Sequence, residues 1–247
     1  MKQMIMGLNL LSTLKGLKVN REARAGHCVA CLSANAFHGL CAPCRADLPV
    51  NRWSCYTCGL PLPWAADKLR CGECTSEPPP FERARIPWRY QFPVDGMIGR
   101  YKYHGQRKFV RPLVADFGQF LARQLAVEPA LAPLTLVPAP MHPRRRRERG
   151  FNQATDIAEQ LGRQLDIPVD SGLVRRVRQV RSQRELNRAQ RLTNLKDVFE
   201  IRGTPPPRVA IVDDVVTTGA TARALAMSLK AAGTRKVEIW ALARTPG

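Results

Sequence analysis

The sequence predicts an α/β domain with a largely parallel sheet and helices on both faces, preceded by a small cysteine-stapled domain. Three features carry that expectation. Strand-length apolar runs alternate with helical patterns from residue 109 to 243, eight cysteines are confined to residues 28–74, and the break Glu77-Pro78-Pro79-Pro80-Phe81 separates the two regions. Buried strands separated by helices are joined by crossovers, which make neighbouring strands parallel. The Pro-rich break is stiff and extended. It divides the chain into an N-terminal amphipathic segment 1–24, a cysteine domain 25–80 and an α/β domain 81–247.

At the N-terminus, Met4, Ile5, Leu8, Leu11 and Leu14 fall on one helical face. Ala23-Arg24-Ala25 imitates a processing site, but Asn9, Ser12 and Thr13 interrupt the apolar run and Lys15, Lys18 and Arg21 precede the supposed cut. An amphipathic helix is therefore favoured over a secretory leader. No stretch reaches the ~18–20 consecutive apolar residues of a membrane span. The longest apolar stretch, 129–143, is broken by prolines. A cytoplasmic protein without a membrane span is the expectation.

The cysteines form four pairs of one spacing: Cys28-x-x-Cys31, Cys41-x-x-Cys44, Cys55-x-x-Cys58 and Cys71-x-x-Cys74. Two thiolates three residues apart on a tight turn bind one ion side by side, and two such turns complete a tetrahedral site. Disulfides would require an exported protein, and a thioredoxin-like redox site would use one pair. Two structural Zn2+ ions are expected. Sequential pairing, 28/31 with 41/44 and 55/58 with 71/74, is the simpler arrangement; spacing leaves interleaved pairing open. His27 and His38 flank ligand pairs and are read as bystanders. Residues 1–80 hold 9 basic and 5 acidic side chains, a surplus that the thiolates cancel once two divalent ions are bound.

Beyond the break, a helix is expected across 109–125, with Leu113, Phe117, Phe120 and Leu121 on one side. Leu134–Ala139 reads as a short buried strand, and 152–165 as a helix with Ala154, Ile157, Ala158, Leu161 and Leu165 at helical spacing. An Arg-rich stretch from 174 to 191 leads to a short strand near 197–201 and a loop at Thr204-Pro205-Pro206-Pro207. Strand 208–212, helix 219–232 ended by Gly233, and strand 236–243 complete the chain. The basic excess lies here: residues 81–247 hold 30 of the 39 Lys+Arg and 15 of the 20 Asp+Glu. Such a surface attracts polyanions, whether nucleic acid, nucleotide phosphates or anionic lipid.

Residues 209–222, VAIVDDVVTTGATA, concentrate the chemistry. Ligands of open parallel sheets bind beyond the carboxyl ends of the strands, where Asp213 and Asp214 are expected. Thr217, Thr218, Gly219, Ala220 and Thr221 follow at a helix start, where unpaired N–H groups and the helix dipole favour an anion. Gly permits close approach and the hydroxyls add donors, which describes a monophosphate cradle. No Gly-Lys-Ser/Thr follows, so it is not a Walker loop; one Gly alone is not a dinucleotide fingerprint. The two carboxylates can accept hydrogen bonds from vicinal ribose hydroxyls while the cradle holds the 5′-phosphate.

IVDDVVTTGAT closely resembles the signature of type I phosphoribosyltransferases, which bind 5-phosphoribosyl 1-pyrophosphate with Mg2+. The chain as a whole, over roughly residues 25–245, resembles the ComF (ComFC) family, including its GntX-like DNA-utilization members. The four CxxC pairs, Tyr101-Lys102-Tyr103-His104-Gly105, VPAPMHPRRRRERGFNQA at 137–154, LNRAQRLTNL at 186–195 and the VDDVVTTGAT loop carry that resemblance. It implies a double zinc ribbon joined to a type I phosphoribosyltransferase-like parallel sheet, and a role in natural transformation or DNA utilization through single-stranded DNA. DNA-import or recombination proteins would be partners.

In the resembling fold the loop after strand 134–139, here the arginine run 144–149, faces the pyrophosphate. Arginine suits that place because its planar fork binds phosphate bidentately and neutralises charge on a leaving group. Arg149 is the catalytic candidate there beside Asp213 and Asp214; Lys102, His142, Arg147 and Asn152 are candidates for pyrophosphate or DNA contacts. Tyr101 and Tyr103, interleaved with basic residues, suit stacking on single-stranded bases, and a place for one of them in the core fits equally. The stretch Arg175–Arg191 would be a hood over the ligand or a DNA-facing surface. Two functions stay open: a binding protein that handles single-stranded DNA, and an active phosphoribosyltransferase of nucleotide metabolism with an unidentified acceptor and no DNA role.

Overall fold

Residues 26–65, 68–177 and 198–247 are described by the computed structural model. The expected N-terminal helix, most of the stretch 174–191 and the LNRAQRLTNL segment lie outside them. In chain order the elements are α1 (Ala42–Ala46), α2 (Gly72–Ser76), β1 (Arg83–Arg85), β2 (Trp88–Arg89), α3 (Val94–His104), α4 (Arg111–Val127), β3 (Thr135–Pro138), α5 (Pro143–Arg149), α6 (Gln153–Leu165), β4 (Val174–Arg176), β5 (Phe199–Ile201), β6 (Arg208–Val216), α7 (Ala220–Ala231) and β7 (Lys236–Arg244).

The sheet runs β1-β7-β6-β3, with every pairing parallel. β2 continues the same edge of β7, where Trp88 registers with Ala243. Helices cover both faces, as expected, and the period of two along each strand decides what meets what. Leu136, Ala210, Val212, Trp240 and Leu242 face α3, α4 and α6; Val137, Val209, Ile211, Ile239 and Ala241 face α7 and the antiparallel pair β4 and β5. Burial on both faces is why these strands read as continuous apolar runs.

α6 brings Asn152, its N-cap, and Gln153 to a large cleft, so its seating matters. Its apolar stripe of Ala154, Ile157, Ala158 and Leu161 is buried against the sheet. At Gly162 a Cβ would lie 2.7 Å from the backbone oxygen of Ile167 and 2.7 Å from Val169 Cγ2. The Ile167 N–H donates to the Gly162 carbonyl at 3.0 Å, so the two backbones cannot part cheaply. Gly162→Ala should lower unfolding stability by about 1–3 kcal/mol, read as a lower denaturant midpoint.

The cysteine region repeats one design twice. Cys28 and Cys55 each accept, through their carbonyls, the N–H four residues on, from Leu32 and Gly59. Those two residues have φ of 63° and 69°. The second pair of each set opens a short helix, with Cys41 and Cys71 as N-caps of α1 and α2. The first module shares its core with the sheet: Cys28, Ala36, Leu40, Cys41 and Leu48 join the cluster that holds Trp88, Ile98 and Leu113. The second has a core of its own, made of Cys55, Leu62, Cys71 and Cys74.

Candidate functional site

Among the described residues two groups of four cysteines could hold a metal ion: Cys28, Cys31, Cys41 and Cys44, and Cys55, Cys58, Cys71 and Cys74. Pairing is therefore sequential. Within each group all sulfurs lie within 4.8 Å of one another, with Cys31 to Cys41 at 3.6 Å and Cys58 to Cys71 at 3.7 Å. A tetrahedral ion with bonds near 2.3 Å separates its sulfurs by about 3.8 Å, so the sets fit zinc. Cys55 is held down at about 4 by the Cys58 thiol, with burial opposing and the N–H groups of Cys58, Cys71 and Thr57 assisting.

The Asp pair lies where β6 leaves the core. The strand does not stop at residue 212: Val215 and Val216, β-branched and in register with Ala243 and Arg244, carry it on to Val216. Both acids are thus strand residues. Alternation turns Asp214 toward the face of Ala210 and Val212, where α3 packs, and Lys102 of α3 meets its Oδ1 at 2.8 Å. One Asp213 oxygen accepts the Asp214 N–H at 2.8 Å. Burial pushes Asp213 up to about 7, and the Asp214 charge adds to it against the Asp214 N–H and Lys102.

After β6 the chain turns through Thr217 and Thr218 to Gly219, the N-cap of α7 at φ 75°. The Ala220 N–H points to Thr218 Oγ1 at 3.4 Å, and Thr217–Thr221 line a small pocket of about 40 Å³ with Asp213 and Val215. Behind the loop lies a residue that sequence reasoning missed. Arg244, buried at the end of β7, donates to the carbonyls of Val216 and Thr217. Its only sequence signal is a charge closing an apolar strand. Arg244→Met should speed amide exchange at Thr218–Ala220 by at least roughly 10–100-fold, the effect of one charged hydrogen bond, since it removes the donor to both carbonyls.

The arginine run, expected as a loop, is instead helix α5. His142 Nδ1 accepts the Arg144 N–H at 3.2 Å as its cap, Pro143 opens it, and Gly150 closes it at φ 77°. Helical spacing then sorts the run. Arg145, Glu148 and Arg149 face a cleft of about 860 Å³, which Asp213, Asp214, Lys102, His142, Asn152, Thr217 and Thr221 also line. Arg146 faces a different cleft, and Arg147 lines neither. Asn152 is the N-cap of α6, accepting the Ala154 N–H at 3.1 Å while its amide donates to the Ala139 carbonyl. Arg149 lies over the Tyr103 ring at 5.2 Å and donates to Gln153 Oε1 at 3.2 Å. Tyr101, in contrast, is core: its hydroxyl donates to Asp156 Oδ2 at 2.8 Å.

Gln153 is the second residue missed. It is 1% exposed and lines the large cleft, yet its Nε2 has no hydrogen-bond partner among the described residues. Competence protein F of Haemophilus influenzae is 32% identical over 85% of this chain and 92% of its own length. The chain belongs to the ComF family. Other ComF relatives are the DNA utilization protein YhgH of Salmonella typhimurium, 32% identical over 84% of this chain and 97% of its own, and competence protein ComFC of Streptococcus pneumoniae, 30% identical over 65% and 67%. No protein-family model matches this ComF-family chain. Among solved structures, a purine phosphoribosyltransferase from Pyrococcus horikoshii is similar at a TM-score of 0.33 and 20% identity, over 53% of this chain and 82% of its own. An adenine phosphoribosyltransferase from Leishmania tarentolae is similar at 0.35 and 15%, over 53% and 70%. Likeness that weak decides nothing about this chain.

Proposed function

We propose that this ComF-family chain binds 5-phosphoribosyl 1-pyrophosphate with Mg2+ over Asp213 and Asp214, carries structural Zn2+ in both cysteine clusters, and handles single-stranded DNA during DNA uptake or utilization in the cytoplasm. The observation that carries the ligand reading is the orphaned Gln153 amide. A buried donor without a partner costs about 1–3 kcal/mol, and its residue lines the same cleft as Arg149 and the acids. Donors on one wall and acceptors on the floor suit a ligand with both phosphate oxygens and vicinal hydroxyls. The Thr217–Thr221 loop takes the 5′-phosphate, Asp213 and Asp214 the ribose hydroxyls, and Arg149 with Gln153 the pyrophosphate.

No carboxylate cage surrounds the cleft among the described residues, which fits a cation that arrives on the ligand's own oxygens and keeps several waters. Asp213 and Asp214 are the carboxylates that would hold it there, and it would supply charge neutralisation of the pyrophosphate. The DNA reading draws on the relatives named competence protein F and DNA utilization protein, and on the basic α/β region.

Calorimetry with phosphoribosyl pyrophosphate, with and without Mg2+, tests the ligand. Wild type should bind, and Asp213→Ala/Asp214→Ala should not; a wild type that binds nothing sinks the reading. Pyrophosphate released only when an acceptor is added would extend binding to transfer.

A further inference from the structure

We infer that a single strand of DNA lies in a second cleft, on the other side of α5 from the ligand cleft. The two clefts share Pro140, Met141, Asn152 and Arg176, so their occupants would lie against one common wall. The second measures about 530 Å³, and five arginines from four segments line it: Arg107, Arg146, the β4 neighbours Arg175 and Arg176, and Arg202.

Two of these guanidinium groups are positioned by aromatic rings. Arg107 lies 5.1 Å from the Phe151 ring centre, and Arg176 lies 5.8 Å from that of Phe199. The Arg107 guanidinium, laid against its ring, has lost freedom already, so its outward N–H groups meet phosphate at a lower entropic cost. Its outer plane can also carry a base. The acids lining the cleft are Asp156 and Glu159, and Asp156 is engaged by the Tyr101 hydroxyl and by Arg107 at 3.8 Å.

Phe151, Val174 and the prolines at 138, 140 and 143 give the cleft an apolar lining between the charges. That mixture of fixed cations and apolar surface in a concavity suits unstacked bases and a flexible backbone. A duplex keeps its bases inside and could touch only the rim. The inference rests on single-stranded DNA being a partner, and is separable from phosphoribosyl pyrophosphate binding.

The test uses the full, zinc-loaded chain and a labelled oligo-dT of about 16 nucleotides, with anisotropy read across a salt series. Arg175→Gln/Arg202→Gln changes two exposed side chains that do not line the ligand cleft. Affinity should fall about tenfold at 0.1 M salt, and the log–log salt slope should flatten by about 1.4, two phosphates at roughly 0.7 each. Unchanged affinity and slope would overturn the inference, as would equal binding of a duplex or no binding of the strand by wild type. Calorimetry on the same samples reports on the ligand cleft independently. Photocrosslinks from iodouracil-substituted strands to wild type should map to residues 140–159 and 171–176; crosslinks confined to residues 26–80 would also overturn it.

Discussion

Cys74→Ser should unravel the second cysteine module and leave the sheet folded. The physical reason is that this module has almost no core besides its ligands. Cys55, Leu62, Cys71 and Cys74 make up its buried cluster, with Leu60 and Cys58 packed against it. Without the ion, like charges on neighbouring thiolates would repel, and protonated thiols could not replace four metal bonds. Structural zinc sites contribute about 10–16 kcal/mol of apparent binding energy, far more than one leucine can bury. The variant should retain about one zinc per chain and be cleaved by trypsin between residues 60 and 77. Retention of two ions, or an unchanged cleavage pattern, would sink the argument. Cys28→Ser should behave differently. Cys28 is wholly buried in the cluster that contains Trp88, Ile98 and Leu113, so the loss should spread into the main unfolding transition.

The parallel sheet was legible because both of its faces are buried, which leaves an apolar run wherever there is a central strand. The cluster composition was legible for a similar reason, since cysteine has little reason to recur at fixed spacing except as a ligand. Helix α5 was not legible. It buries none of its seven residues, so an arginine run carried no periodicity, and only its ends, His142-Pro143 and Gly150, mark it. Helix α3 was missed because Gly96 and Gly99 lower its propensity, while burial of Val94, Met97, Ile98 and Tyr101 supplies the compensation. The continuation of β6 past the acids depends on its register with Ala243 and Arg244 of β7, which no local pattern announces. Gln153 and Arg244 belong to the same class: a glutamine among RGFNQA and an arginine after WALA acquire roles only once burial is known. The chemical letters were readable, and the geometry that separates Arg149 from Arg147 was not.

In Mg2+-free buffer, affinity for phosphoribosyl pyrophosphate should rise between pH 6 and 8, and Asp213→Asn should remove that component. Asp213 is pushed up to about 7, first by burial and then by the Asp214 charge. Below that value it is a neutral acid with one acceptor oxygen already engaged by the Asp214 N–H; above it, it is a carboxylate able to receive a ribose hydroxyl. Ligand-free stability must run the other way. The folded value lies above the ordinary aspartate value of 3.8, so the folded chain keeps a proton that the unfolded chain has released. The stabilising contribution is therefore full below 3.8 and is lost as pH rises to about 7. Asp213→Asn should flatten this part of the stability profile and weaken binding at pH 8 by roughly 10–100-fold, the loss of one charge-assisted hydrogen bond. The asparagine variant also supplies the titration of the ligand's own phosphates, which both proteins share. Equal affinity of variant and wild type at pH 8 would remove Asp213 from the site. Lys102→Met sharpens the assignment, because the ammonium that pairs with Asp214 at 2.8 Å also lowers Asp213. Without it, the midpoint of the affinity profile should move to higher pH, whereas a lysine that served only the stability of α3 would leave the midpoint where it was.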